Sequence, residues 1–245
     1  MDELAVRRGP APWREFTEEE VKGFVGDIEK SGYAVIPGYI TNEDLVSLQR
    51  FVGAAVEHVG NNYVALNGYS PVANTALGKL ADSSSIKRLC MRCYELLTSE
   101  QPPHPDYHQV LRCLTGDGAR KNSMIFHFDS YVLTLLLPIE MPRGKDSGEL
   151  IVLPNVRPLR RWYVTNLIDK LLLDNPLTQS LLRKIWMRSS RFVRISLNPG
   201  DLYLFWGYRS VHTNAPCDVD KIRATALLHY ADPHRASRLK KMIGR

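Results

Sequence analysis

From about residue 108 the chain becomes a series of short runs of β-branched, aromatic and leucine residues, cut every few positions by Gly, Pro or Asp. Segments 110–114, 123–126, 131–137, 149–153, 201–205 and 222–229 are the firmest. Each is too short for a stable helix and suited to a pleated, half-buried surface. A single short strand cannot bury its apolar face. Many of them with turn punctuation predict a mainly β sandwich or barrel with flanking helices, and a jelly roll suits this length. The segment Gly144-Lys145-Asp146-Ser147-Gly148 reads as a hairpin-type connection.

Before residue 108 the pattern is helical. Thr17-Glu18-Glu19-Glu20 has the form of a capping box, followed by Val21, Phe24, Val25 and Ile28 at helical spacing and a stop at Gly32. Residues 33–36 form a short strand, and Thr41-Asn42-Glu43-Asp44 opens a second helix with Leu45, Leu48, Val52 and Val56 on one face. Residues 62–66 suit a strand. A helix over 85–97 carries Cys90 and Cys93, whose CxxC has no second close pair to complete a zinc site, so both are read as packing residues.

Within the β region, 162–173 and 177–187 are helical in period, separated by Asp174-Asn175-Pro176. These predict a helical hairpin inserted between two strands. The whole chain, 1–245, is thus read as one domain. Residues 1–107 support it, 108–154 and 195–230 form the jelly-roll core, 155–194 are a basic helical insertion, and 231–245 are a basic tail.

Composition narrows the setting. With 44% hydrophobic residues the chain can bury a sizeable core. No stretch is apolar enough to span a bilayer, and residues 1–8 lack the apolar centre of a secretion signal. Four cysteines fit reduced thiols, so a cytoplasmic location is expected. The net charge is +6, yet residues 155–194 alone hold nine Lys/Arg against two Asp. Such localised charge attracts anionic partners. Leucine faces beside it admit two readings: peripheral docking on an anionic membrane, or helices packed on the jelly roll with a solvated basic face. No nucleic-acid module is recognisable, and nucleic acid is an unlikely partner.

The chemistry is concentrated in a few residues. In His127-Phe128-Asp129 an imidazole and a carboxylate are two positions apart, which on a strand places them on one face. His212, after the turn-strand-turn of 198–211, can complete two histidines and one carboxylate around one metal, leaving open positions for substrates. Eleven residues later Arg223 opens a strand, where a guanidinium can grip a carboxylate through two parallel hydrogen bonds. Thr225 lies on the same face and can add its hydroxyl. Trp206, Tyr208 and Arg209, close to His212 in sequence, either line the pocket or belong to the core.

Taken in order, Gly32-Tyr33-Ala34-Val35-Ile36-Pro37-Gly38, Thr41-Asn42-Glu43-Asp44-Leu45, His127-Phe128-Asp129, Ser147-Gly148-Glu149-Leu150-Ile151-Val152-Leu153-Pro154, Pro199-Gly200-Asp201, His212 and Arg223 resemble the phytanoyl-CoA dioxygenase family. The resemblance spans about residues 30 to 230 apart from the inserted helices. It implies a double-stranded β-helix, a cupin-like jelly roll, with Fe(II), 2-oxoglutarate and O2 as cofactor and cosubstrates. His127, Asp129 and His212 would bind the iron, and Arg223 would hold the distal carboxylate of 2-oxoglutarate. Thr225 and Asn214 would be further cosubstrate contacts. The implied reaction is hydroxylation of an aliphatic C–H of a small-molecule or lipid-like substrate, with release of succinate and CO2. This chain departs from the pattern after Pro154, where Asn155-Val156-Arg157-Pro158 leads into the insertion, so its substrate pocket is expected to differ. A non-catalytic metal-binding jelly roll is the rival from another class. Arg223 argues against it, since a bare metal site needs no carboxylate clamp.

Overall fold

A computed structural model describes residues 14–104 and 106–243. The N-terminal reading at residues 1–8 lies outside them, as does Arg245 at the end of the basic tail.

Helix α1 (Glu18–Ser31) starts as its sequence predicts. Thr17 Oγ1 accepts from Glu20 N at 3.2 Å, and the Glu20 carboxylate accepts from Thr17 N at 2.9 Å. Strand β1 (Tyr33–Ile36) follows. Helix α2 (Asn42–His58) is capped by Thr41 and buries Leu48, Val52 and Val56. Strand β2 (Val64–Asn67), helices α3 (Ala76–Asp82) and α4 (Ser84–Thr98), and strand β3 (Tyr107–Leu114) complete this half. Cys90 and Cys93 are fully buried on α4, in the packing role expected of them.

Next come helix α5 (Gly116–Lys121), strands β4 (Leu133–Glu140) and β5 (Leu150–Leu153), and helices α6 (Tyr163–Asp174) and α7 (Pro176–Ile185). Strands β6 (Val193–Ile195), β7 (Leu202–Phe205), β8 (Val211–Asn214) and β9 (Arg223–Tyr230) precede the short helix α8 (Arg238–Ile243). All pairings are antiparallel, in a six-stranded sheet ordered β1-β7-β4-β9-β3-β2 and a three-stranded sheet ordered β6-β5-β8.

Strand alternation divides the labour between the faces of the large sheet. Leu133, Leu135 and Leu137 of β4 and Ala224, Ala226 and Leu228 of β9 share one core with the buried residues of α1, α2, α3 and α4. The intervening positions turn toward the small sheet. There Leu136, Tyr203 and Phe205 pack with Leu150, Val152 and Ile195. The mainly β architecture with flanking helices is therefore the jelly roll that the strand pattern predicts, the double-stranded β-helix that the resemblance implies.

Several local expectations are corrected. Residues 123–126 are not a strand: Gln179 of the insertion takes both backbone groups of Phe126, accepting from its N–H at 3.0 Å and donating to its carbonyl at 2.7 Å. A side chain there replaces a ladder. His127-Phe128-Asp129 is likewise not on a strand; His127 makes one isolated bridge, to His212, and Asp129 is in irregular chain. His212 lies inside β8, a strand too short to stand out in the sequence. The 144–148 segment is no hairpin, because it carries the chain from β4 in one sheet to β5 in the other.

The hairpin α6–α7 is where it was expected, with Asn175 capping α7. Its faces are not. Tyr163, Asn166, Leu173 and Gln179 turn inward, while Val164, Ile168, Leu171, Leu177, Leu181 and Ile185 are exposed. Leu173 and the half-buried Leu182 pack against Phe126 and Ile151, so the hairpin rests on the jelly roll through only part of its leucines. Among the described residues no helix is long and apolar enough to cross a membrane.

Candidate active site

Residues 223, 225, 227 and 229 of β9 alternate into a cavity of about 140 Å³ between the two sheets, joined by Arg112 of β3 and Thr134 of β4. His127, Asp129 and His212 lie at its wall, with one ligand atom from each within 4.8 Å of the others. The remote residues meet because the backbones of His127 and His212 exchange two hydrogen bonds, each 3.0 Å.

Each imidazole is oriented by the backbone beside it. His127 Nδ1–H donates to Ile125 O at 2.9 Å and His212 Nδ1–H to Ser210 O at 3.0 Å. Both Nε2 lone pairs are thereby left for the cluster, the tautomer a metal ligand needs. His212 Nε2 stands 3.5 Å from Asp129 Oδ1. Burial, reinforced by the neighbouring His212, pushes the His127 imidazole down to about 4. Burial alone would raise the Asp129 carboxyl, but the His212 imidazole outweighs it and holds the group well below the usual carboxylate range. Two imidazoles whose Nε2 atoms face a carboxylate held ionised form a donor set for a divalent cation.

Asp129 is held from three sides. Its N–H donates to Gly207 O at 3.0 Å, and Thr134 Oγ1 donates to its Oδ2 at 2.9 Å. Thr134 Oγ1 is also 2.9 Å from His229 Nδ1, completing a chain from His229 to the carboxylate. At Gly207 a Cβ would stand 2.0 Å from Asp129 Oδ2, so the carboxylate occupies space only glycine leaves open.

Arg223 is 5% exposed and has no acidic partner among the described residues. Its Nε donates to Gly148 O at 2.7 Å and its Nη1 to Thr225 Oγ1 at 3.4 Å. Gly148 has φ +67°, and a Cβ there would fall 2.4 Å from Arg223 Cδ. Arg112, opposite Thr225 across the β3–β9 ladder, lines the same cavity and makes no hydrogen bond or ion pair among the described residues. Burial, with Arg112 close by, pushes Arg223 down to about 10. Two arginines without a carboxylate, next to a metal-ligand cluster, form a cavity suited to a small dianion.

The sequence-expected residues therefore converge: His127, Asp129, His212, Arg223, Thr225 and Asn214 all line one cavity. Asn214 spends its amide on Ser123 Oγ at 2.9 Å and Ala215 O at 3.1 Å. Trp206 and Tyr208 belong to the core, and Tyr208 Oη pairs with His234 at 2.9 Å. Arg112, Thr134, His229, Gly148 and Gly207 gained no role from sequence. Only Arg112, a lone cation inside an apolar strand run, carried a signal there.

No protein-family model matches the sequence, and no curated protein matches it. Solved structures do. The non-heme α-ketoglutarate-dependent carbocyclase SnoK from nogalamycin biosynthesis matches with TM-score 0.58 and 13% identity, over 96% of this chain and 94% of that one. A prolyl hydroxylase from Trichoplax adhaerens, in complex with a hypoxia inducible factor peptide, gives TM-score 0.59 and 15% identity over 93% and 99%. HygX from Streptomyces hygroscopicus, with nickel and 2-oxoglutarate bound, gives 0.59 and 10% over 89% and 88%. At these identities the likeness is one of fold: the chain has the double-stranded β-helix found in iron and 2-oxoglutarate oxygenases.

Proposed function

We propose that the protein is an Fe(II)- and 2-oxoglutarate-dependent dioxygenase, a single oxygenase domain over 1–245 with a helical insertion at 155–194. The observation that carries this is the sharing of one cavity by the His127–Asp129–His212 cluster and two arginines without acidic partners among the described residues. A metal-binding jelly roll with no cosubstrate would leave Arg223 and Arg112 buried or half-buried without purpose.

His127, Asp129 and His212 would hold the iron, which when bound supplies activation of O2 coupled to decarboxylation of 2-oxoglutarate. Arg223 would take the distal carboxylate with two parallel donors, Thr225 would add its hydroxyl, and Arg112 would neutralise the remaining negative charge. Asn214 would border the cosubstrate, its amide fixed by Ser123. Thr134 keeps one Asp129 oxygen occupied and so aims the other at the cluster. Net, an aliphatic C–H, O2 and 2-oxoglutarate become an alcohol, succinate and CO2. Hydroxylation asks nothing more of the protein than these residues, although the similar folds include a carbocyclase. The ordered motifs favour the phytanoyl-CoA dioxygenase-like branch.

The decisive experiment is aerobic turnover with Fe(II), ascorbate and 2-oxoglutarate, scored as succinate release over a broad substrate panel. Succinate above that of His127→Ala is expected. Equal release from both proteins, with no binding of 2-oxoglutarate in the presence of Mn(II), would refute the reading.

A second reading concerns location. The outer face of the α6–α7 hairpin exposes Trp162, Leu172, Leu177 and Met187 at 66, 64, 81 and 73%. Arg161, Lys184, Arg188 and Arg191 lie beside them in sequence. Apolar side chains beside clustered cations suit the interface of an anionic bilayer, so we propose peripheral membrane contact through 155–194. Co-sedimentation with anionic but not neutral vesicles is expected, weakened by Leu177→Asp. No binding at low salt would end the idea.

A further inference from the structure

A second cavity, of about 330 Å³, shares His127 with the first. Its walls come from Phe128 and Ser130 beside the metal cluster, from the inner face of α6, and from Lys240 of α8. The insertion thus walls a space that meets the proposed metal centre at His127.

The polar groups in it are unevenly matched. Lys240 is paired with Asp232. Lys170 is not paired: its Nζ donates to Ser130 Oγ at 2.6 Å and makes no ion pair among the described residues. Asp174 also borders the cavity, but from an exposed position. Asn166 is 3% exposed, and its Oδ1 is buried without a hydrogen-bond partner. Burial lowers the Lys170 ammonium from its ordinary value, with Asp129 opposing the shift, as for a cation short of solvent and of a counterion. Phe128 and Leu167 supply apolar wall.

We infer that this cavity is the pocket of the substrate to be oxidised, and that it takes a small soluble molecule bearing a carboxylate or phosphate monoester. The anionic end pairs with Lys170, a hydroxyl or N–H donor meets Asn166 Oδ1, and the apolar body lies along Phe128 and Leu167 toward His127. This rests on the oxygenase reading above and adds to it the substrate class and the residue that selects it. Because Lys170 bonds Ser130 Oγ and lines the same cavity as His127, a ligand held at Lys170 shares its space with a proposed metal ligand.

The test uses full-length protein loaded with Zn(II) and 2-oxoglutarate, with cosubstrate binding first verified by thermal shift. Absence of that shift would count against the oxygenase reading itself, independently of how any acid binds. Hexanoate, mandelate and hexyl phosphate are then compared by ligand-observed NMR with their methyl esters or, for hexyl phosphate, hexanol. The acids should bind more tightly by about tenfold or more. Lys170→Met should abolish that preference, Lys170→Arg should retain it, and both should keep the cosubstrate shift. The inference is overturned if no acid binds, if acid and ester bind alike, or if Lys170→Met keeps the preference. It is also overturned if phosphatidic acid vesicles bind in a Lys170-dependent way while hexyl phosphate does not, since the anion would then be a lipid headgroup.

Discussion

The guanidinium of Arg157 lies 3.8 Å from the centre of the Phe128 ring, so the first turn of the insertion rests on the middle residue of the His-Phe-Asp motif. The same guanidinium sits 4.5 Å from the Tyr208 ring, donates from Nε to Tyr208 O at 2.7 Å, and from Nη1 to Asp169 of α6 at 3.0 Å. Arg160 adds two further bonds to that carboxylate, at 2.7 and 3.1 Å. One ion-paired group therefore ties the helical hairpin to the segment that presents two proposed metal ligands.

Asp169→Asn should destabilise the protein, because it leaves Arg157, 5% exposed, without its counter-charge. Removing one partner of a buried pair costs about 3–5 kcal/mol, and partial exposure of Asp169 places this case at or below the lower end. Burial alone would raise the Asp169 carboxyl, but the hydrogen bonds from Arg160 and Arg157 hold it below its ordinary value. Its contribution is therefore complete above about pH 4, the unfolded value, and is lost as pH falls toward the lower folded one. Urea denaturation at several pH values should show a gap between parent and variant that is full at neutral pH and narrows in acid.

Gly207→Ala should disable the metal site without unfolding the core. The added Cβ would be 2.0 Å from Asp129 Oδ2 and 2.6 Å from its Cγ, so the whole Asp129 side chain must shift, with Phe205 Cε1 at 2.9 Å giving slightly. A fall in Mn(II) affinity on the order of 10–100-fold is expected, the range for losing a ligand's orientation. Calorimetric titration reads it, with an unchanged circular dichroism spectrum as the control.

Arg223→Lys should raise the KM for 2-oxoglutarate more than it lowers kcat, since a point charge cannot reproduce the paired donors. Gly148→Ala should mimic it from the opposite side, because its Cβ would displace the Arg223 side chain at 2.4 Å from Cδ. Arg112→Met should also weaken cosubstrate binding. An effect of Arg223→Lys confined to kcat would mean that Arg223 does not bind the cosubstrate.

The legible features of the sequence are the local ones. Capping boxes and alternating strands advertise themselves within a few residues, and so does an HxD with a distant His and Arg. The α6–α7 hairpin was also plain, but periodicity tells which side chains share a face and not which face turns inward. Its inner face proved to be Tyr163, Asn166 and Gln179. Phe126 read as strand because its sequence suits one, and nothing local shows that Gln179 claims its backbone. Gly148 and Gly207 matter through the residues that press on them and bond their carbonyls, a relationship between segments far apart in sequence.

Thr134 tests the layer behind the metal ligands. A hydroxyl has one proton, and geometry commits it to Asp129 Oδ2 at 2.9 Å, so the contact with His229 Nδ1 at 2.9 Å must be one in which Thr134 accepts. That fixes the His229 tautomer and makes Thr134 a link that valine, of the same shape, cannot replace. Thr134→Val should loosen Asp129 and lower metal affinity by roughly 10–100-fold, with little loss of packing, whereas Thr134→Ser should restore most of it. His229→Phe should have a smaller effect, since Thr134 can still donate. If Thr134→Val binds Mn(II) as the parent does, Asp129 is aimed by Gly207 and His212 alone, and the chain from His229 has no part in the site.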